Sequence, residues 1–118
     1  MIITIPFKTP TINHLYWHKG NIKIIKKEAR ELREKIKEIV DNLPIIIMAG
    51  NLKVNIDIHE DWLCKDGSVK RKDILNREKF LVDSVFDALG IDDKYIYEHT
   101  MRKVQSKKEF AIVTILSL

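Results

Sequence analysis

The chain has 118 residues, of which 45% are hydrophobic and 32% are charged, and its formal net charge is +4. This length allows a single folded domain over residues 1–118 without a separate substrate domain, and the apolar fraction excludes a wholly disordered chain. The basic surplus favours anionic partners such as nucleic acid, although many ordinary proteins carry a similar charge.

The cysteine content and the short apolar runs indicate the cellular compartment of the protein. The single cysteine, Cys64, cannot form an internal disulfide or a zinc site, so a reducing environment is expected. The N-terminus lacks the pattern of a signal peptide. The longest apolar run, residues 45–49, is too short to cross a bilayer. We therefore expect a cytoplasmic protein with no membrane partner.

The N-terminal segment is predicted to contain little regular structure. Residues 2–5 are mostly β-branched and should form a short strand. Residues 7–21 should be irregular, because Pro10 and Gly20 interrupt them. Residues 22–25 are apolar enough to add a short strand.

The clearest helix is predicted at residues 26–42, where apolar residues recur at helical spacing and charged residues fill the other face. Pro44 marks its end. We interpret the charged face as solvated surface with local ion pairs rather than as a DNA-binding patch.

The middle of the chain combines a strand, a basic loop and a second helix. Residues 52–62 alternate between apolar and polar side chains, which predicts a strand. Residues 65–68 should form a turn, and three of the four residues at 69–72 are basic. The pattern over residues 73–89 predicts a helix that Gly90 ends.

The C-terminal part is predicted as two strands, residues 95–104 and 110–118, which the turn at 105–108 would join as a hairpin. The order of elements is therefore β, loop, α, β, α, β, β. This order predicts an α+β fold, in which two helices pack on one face of a small mixed sheet.

The second predicted helix separates polar from apolar side chains when it is drawn at about 100° per residue. One side carries carboxylates, an amide and an amine, namely Asp73, Asn76, Lys79, Asp83 and Asp87. The other side carries Leu75, Val82, Val85, Phe86 and Leu89. The apolar side should pack on the sheet, and the polar side should face outward.

Phosphodiester hydrolysis requires side chains of this kind. Carboxylate oxygens hold Mg²⁺, which activates a water or stabilises the leaving oxygen, and a lysine such as Lys79 neutralises charge on the reacting phosphate. Asp92 and Asp93, just past the helix, would complete a metal site if the chain folds back there. The alternative is that these charges form only a solvated surface.

Two groups of residues make the whole chain similar to the RusA family of Holliday junction resolvases. The N-terminal group is Pro10, Asn13, Trp17 and Gly20. The central group is Asp73, Asn76, Lys79, Asp83 and the pair Asp92 and Asp93. The resemblance implies an endonuclease that uses Mg²⁺, or Mn²⁺ in its place, and resolves four-way DNA junctions by paired symmetric nicks in recombination and repair.

The resemblance also implies roles for individual residues. Asp73, Asp92 and Asp93 would be the metal ligands, Lys79 would stabilise the reacting phosphate, and Asn76 would orient the site. Two symmetric nicks require two equivalent sites, so a homodimer with twofold symmetry is expected.

One position departs from the family pattern. Leu75 stands where the family has a second aspartate, which is expected to bind metal. Asp57, Glu60 or Asp61, near the preceding strand, could replace that ligand. If the helix includes residue 75, the leucine should point toward the apolar side.

Other residues are candidates for DNA contact. Lys70, Arg71 and Lys72 suit phosphate contacts, although they could form only a solvated loop. Trp17 and its neighbours could stack on exposed bases or pack as a lid over the sheet, and Asn13 is assigned to the same DNA-contacting segment.

Two other functions remain open at this stage. The chain could be a module that binds branched DNA without cutting it, which the loss of a carboxylate at Leu75 favours. It could also be a small protein-interaction domain with no role in nucleic-acid chemistry.

Overall fold

The structure, a computed structural model, describes residues 1–44 and 48–118. Most of the apolar run at 45–49 lies outside the described residues. The regular elements of the described part are β1 (Ile2–Ile5), β2 (Tyr16–Lys19), β3 (Ile22–Ile25), α1 (Lys27–Asp41), β4 (Leu52–Glu60), α2 (Leu75–Leu89), β5 (Ile96–Gln105) and β6 (Phe110–Ser117). Short 3-10 helices occur at Ile12–His14 and Asp93–Tyr95.

Four strands form a mixed sheet in the order β1-β6-β4-β5. Strand β6 runs antiparallel to both β1 and β4, whereas β4 and β5 are parallel. The alternating residues of β4 are buried on one side of the sheet and half-buried on the other. The core contains these buried strand residues together with Ile36 of α1 and Leu81 and Val85 of α2. The predicted α+β fold is therefore confirmed.

The predicted hairpin between β5 and β6 is wrong. Both strands pair with β4, one on each side, and the connection between them passes the end of β4, where the Ser106 amide donates to the Glu60 carbonyl oxygen (2.8 Å). The reason lies in burial: β5 has no fully buried residue, whereas every second residue of β4 is buried. A strand without a fully buried face is suited to the edge of a sheet.

The segment predicted as irregular contains one strand of a second, separate sheet, and the strand predicted at residues 22–25 is confirmed. Strand β2 pairs with β3 in an antiparallel hairpin, in which Trp17 lies opposite Ile24. Gly20 opens the two-residue turn with φ of +60°, a conformation that glycine adopts without strain at the first position of a tight hairpin turn. The prediction for residues 7–21 was wrong over Tyr16–Lys19, because it treated this turn as a simple interruption.

Helix α2 begins two residues later than predicted. The Leu75 amide donates to Asp73 Oδ1 (3.0 Å), so Asp73 precedes the helix. Its predicted end is confirmed, since Gly90 follows the last turn with φ of +69°. None of the helices in the described part of the chain is long and apolar enough to cross a membrane.

Candidate active site

A basic groove lies at the N-terminal end of α2. The loop before the helix folds back on itself through bonds from the Cys64 amide to the Ser68 carbonyl (2.7 Å) and from the Lys70 amide to the Trp62 carbonyl (2.8 Å). This folding brings the basic residues beside the edge strand β5. The basic groove is lined by Lys70, Arg71, Lys72, Asp73, Ile74, Leu75 and Lys103.

Carboxylates of the β4 end hold two of these cations. Lys70 Nζ lies 3.4 Å from Asp61 Oδ2, and Lys72 Nζ lies 3.5 Å from Glu60 Oε2. Arg71 is exposed and forms no ion pair with the described residues. Arg71 therefore keeps its full charge for an anionic ligand, such as a phosphate.

A buried ion pair anchors the start of α2. Arg77 and Glu60 are both almost fully buried and bond to each other, and Arg77 also donates to the Thr9 carbonyl (2.9 Å). The pair therefore ties the start of α2 to β4 and to the N-terminal segment.

Sequence analysis missed this pair, although a signal was present. In the alternation of β4, Glu60 falls on the buried face, and a buried carboxylate requires a partner. Lys103 was also missed, because only the position of β5 beside the loop brings its Nζ within 4.9 Å of the Trp62 ring centre.

Asp73 is the sole carboxylate among the residues that line the basic groove. Leu75 lies beside it and is 65% exposed, so the prediction that this leucine points into the apolar side was wrong. At the first turn of the helix, Leu75 faces the basic groove. The position that holds an acid in the family pattern is thus an apolar side chain on the groove surface.

The three carboxylates considered as replacements for that acid are already engaged. Asp57 accepts two bonds from Arg102 (3.1 and 2.9 Å), and Glu60 is held by Arg77 and Lys72. Hydrogen bonds from Gln105 and the Leu63 amide, together with Lys70, hold the pKa of Asp61 below its usual value. Each of the three would have to give up one of these partners to bind a metal ion.

An acidic pocket lies at the other end of α2. It has a volume of about 390 Å³ and is lined by Asp83, Phe86, Asp87, Gly90, Ile91, Asp92 and Asp93. The turn after Gly90 folds the Asp-Asp pair back toward the helix, and Asp92 Oδ1 accepts a bond from the Lys94 amide (2.9 Å).

Lys79 lies next to this acidic pocket. Its Nζ lies 3.0 Å from Asp83 Oδ2, and the hydrogen bond and charge of Asp83 raise the pKa of Lys79 above its ordinary value, with smaller contributions from Tyr16 and Asp93. Asn76, three residues earlier, shares this face of the helix. Lys79, Asp83 and Asp93 are therefore close enough to interact.

The two ends of α2 are too far apart to share one metal ion. The helix has 15 residues, which separates its ends by about 20 Å, and Asp73 precedes it whereas Asp92 and Asp93 follow it. Over residues 1–44 and 48–118, no group of three or more His, Cys, Asp or Glu side chains is placed to hold a metal ion. The predicted ligands therefore do not fit a single metal site within one chain.

The β2–β3 hairpin presents an exposed aromatic side chain. Trp17 is 63% exposed, and Lys26 Nζ lies 4.4 Å from its ring centre. This exposure rules out the lid alternative for Trp17. The adjacent Tyr16 contributes to the electrostatic environment of Lys79, so the base of the hairpin lies near this lysine. Asn13 is exposed in the preceding 3-10 helix.

Comparison with models of protein families identifies the family of the chain. The model of the family Endodeoxyribonuclease RusA matches residues 6–116, which include the basic groove, the acidic pocket and the β2–β3 hairpin. No curated protein matches the chain. The chain belongs to the RusA endodeoxyribonuclease family.

Proposed function

We propose that this protein resolves four-way DNA junctions by paired symmetric nicks, in DNA recombination and repair. Membership of the RusA family supports a structure-specific endonuclease. The observation that carries the proposal is that α2 runs between a basic groove containing Asp73 and an acidic pocket next to Lys79.

The basic groove suits the DNA backbone. Lys70, Arg71 and Lys72 would contact phosphates, which positions DNA without reading its sequence. Lys103 adds a fourth cation to the same surface. We propose that these residues direct the scissile strand toward Asp73.

Lys79 would act as a fixed positive charge. Because Asp83 raises its pKa, Lys79 stays protonated near neutral pH and cannot serve as a general base there. It would instead neutralise charge that develops on the reacting phosphate. Asn76, on the same helix face, would orient the phosphate or a bound water.

Asp73 lies at one end of α2, and Asp92 and Asp93 lie at the other, so a metal ion would have to bind between two subunits. A homodimer with twofold symmetry could bring Asp73 of one subunit next to Asp92 and Asp93 of the other. These hard oxygen ligands would suit Mg²⁺, with Mn²⁺ as a substitute. When bound, the ion would lower the pKa of a coordinated water and stabilise the leaving oxygen.

A junction cleavage assay tests the proposed function. The purified protein is incubated with a labelled four-way junction or a matched linear duplex, in Mg²⁺, in Mn²⁺ or in EDTA. We expect paired nicks confined to the junction and lost in EDTA. Nicks in the linear duplex at the same rate would contradict junction specificity.

Asp73→Asn should abolish cleavage while sparing DNA binding, because it removes a ligand charge from the exposed groove. Asp41→Asn is the matched control, since Asp41 is exposed at the end of α1, away from the basic groove. Unchanged cutting by Asp73→Asn would overturn its assignment as a ligand.

A second candidate is a protein that holds branched DNA without cutting it. The exposed Leu75 in the basic groove favours it, because Asp73 is left there with four cations. Tight, strongly salt-dependent junction binding with no nicks in either metal would support this candidate. Both candidates would act on cellular DNA, and we propose a cytoplasmic location.

A further inference from the structure

A third cleft lies between α1 and α2. It has a volume of about 390 Å³ and is lined by Ile25, Arg30, Arg33, Glu34, Lys37, Ser84, Asp87 and Ala88. We call it the interhelical cleft. It is separate from the basic groove and borders the acidic pocket, because Asp87 lines both.

Three cations of α1 line the interhelical cleft. Arg33 Nη2 lies 2.8 Å from Asp87 Oδ2, so this guanidinium is held across the cleft and offsets the charge of Asp87. Arg30 and Lys37 are exposed and form no ion pair with any residue in the described ranges. After the Arg33–Asp87 pair, two cations and the carboxylate of Glu34 remain, so the cleft keeps a positive surplus.

A buried hydroxyl group also lines this cleft. Ser84 is only 4% exposed, and its Oγ has no hydrogen-bond partner within the described part of the protein. Buried polar groups are nearly always hydrogen-bonded, so an unpaired hydroxyl suggests that a partner is missing. An oxyanion in the cleft would accept a hydrogen bond from the Ser84 hydroxyl while the cations neutralise its charge.

The neighbouring hairpin indicates the kind of anion. Residues 16–26 include His18, Lys19, Lys23 and Lys26 but no acidic residue, and β3 leads into α1 through Ile25, which lines the cleft. The segment that leads from the hairpin to the cleft therefore carries basic side chains and no carboxylate. Guanidinium groups such as those of Arg30 and Arg33 match the geometry of phosphate oxygens.

We propose that the interhelical cleft binds a backbone phosphate of the DNA strand that passes the acidic pocket. The proposal deepens the proposed function and rests on it, because it assigns a second phosphate-binding site to the same substrate. It also revises the interpretation of the α1 charges, since Arg30, Arg33 and Lys37 would contact DNA. Charge contacts of this kind make DNA binding dependent on salt.

The first arm of the test measures junction affinity against salt concentration in EDTA, so that cleavage plays no part. The variant Arg30→Gln/Lys37→Gln should bind about tenfold more weakly, and its slope of log affinity against log salt should be smaller by about 1 to 2. The control Lys35→Gln/Lys107→Gln removes the same charge from exposed positions outside the cleft. Equal losses in the variant and the control would overturn the proposal.

The second arm uses inorganic phosphate and needs no DNA. When phosphate is titrated into the protein, the amide NMR signals of Arg33 and Ser84 should shift. The variant Ser84→Ala should bind phosphate more weakly, and its melting temperature should fall by no more than a few degrees. Absence of these shifts at high phosphate concentration would overturn the site itself.

The two arms together separate the possible outcomes. Phosphate shifts with a reduced junction slope would support a DNA phosphate site, whereas phosphate shifts with an unchanged slope would overturn the DNA assignment in favour of free phosphate. If the wild-type protein binds no junction, the proposed function fails and the DNA assignment with it. The phosphate arm would then still report whether the cleft binds an oxyanion.

Discussion

At the scale of single residues, Lys79 illustrates how a neighbour sets a chemical role. Asp83 lies 3.0 Å away and raises the pKa of Lys79 above its ordinary value of 10.5. A raised pKa keeps the amine charged at every pH below that value, and the amine loses its charge only as the pH rises through the folded-state pKa. Lys79 therefore contributes a constant positive charge across the neutral range.

Replacing Lys79 should reduce the rate without changing the shape of the pH profile between about pH 6 and 9. We expect Lys79→Gln to lower the cleavage rate by about 100-fold or more and Lys79→Arg to retain part of the activity. Single-turnover cleavage of a junction measures both, with Lys35→Gln as an exposed control. A profile in which wild-type activity falls between pH 7 and 9 and Lys79→Gln does not would contradict the assignment of a fixed charge.

The buried pair of Glu60 and Arg77 makes a second prediction at this scale. Glu60→Gln leaves the Arg77 guanidinium buried without its counter-charge, so it should lower the free energy of unfolding by about 3–5 kcal/mol. Urea denaturation measures the change. The double variant Glu60→Gln/Arg77→Met should lose less than the sum of the two single changes, because the residues interact directly. A loss for Glu60→Gln below about 1 kcal/mol would show that the pair contributes little.

At the scale of elements, the β2–β3 hairpin holds the side chain of Trp17 outward. Trp17 is 63% exposed, and Lys26 Nζ lies 4.4 Å from the ring centre. Exposed aromatic rings beside cations stack on unpaired bases. The branch point of a four-way junction is where such bases would be available. The hairpin is therefore the element we expect to contact the branch point.

Trp17→Ala should weaken junction binding by about 1–3 kcal/mol for each stacked base and leave the melting temperature nearly unchanged, since the side chain is largely exposed. Tyr97→Ala is the matched control, because Tyr97 is 67% exposed on β5. Fluorescence anisotropy with a labelled junction measures the affinity. Equal losses in the two variants would argue against stacking by Trp17.

At the scale of the whole molecule, the length of α2 leads to a prediction about assembly. If Asp73 of one subunit and Asp93 of the other form each site, mixing Asp73→Asn with Asp93→Asn protein should restore activity. Each mixed dimer then has one intact site and one site with both residues altered. Because about half of the dimers in an equal mixture are mixed, about a quarter of all sites recover. The restored product should be a single nick rather than paired nicks.

Subunit exchange and the product pattern together provide the measurement. The two inactive proteins are mixed, allowed to exchange and assayed on a junction labelled on two strands, with each protein alone as the control. If all ligands came from one chain, every site in the mixture would carry an altered residue. Continued inactivity after verified exchange would therefore exclude a site shared between subunits.

The sequence by itself determined the elements whose patterns are local. The period-two alternation from Leu52 to Glu60 predicted β4, the helical spacing predicted α1 and most of α2, and Gly90 predicted the end of α2. These signals were sufficient for the α+β class, because backbone periodicity and glycine geometry depend on neighbouring residues. The spacing of Asn76, Lys79 and Asp83 on one helix face was predictable for the same reason.

Only the tertiary structure decided which elements meet. It inserted β4 between β5 and β6, paired Glu60 with Arg77, and placed Lys103 of β5 beside the basic loop. The order of the strands and the buried ion pair depend on how all the elements bury their apolar surfaces against one another. That arrangement involves the whole chain and cannot be read from a local pattern. The sequence therefore identified candidate residues for the active site, whereas the fold separated them into a basic groove and an acidic pocket.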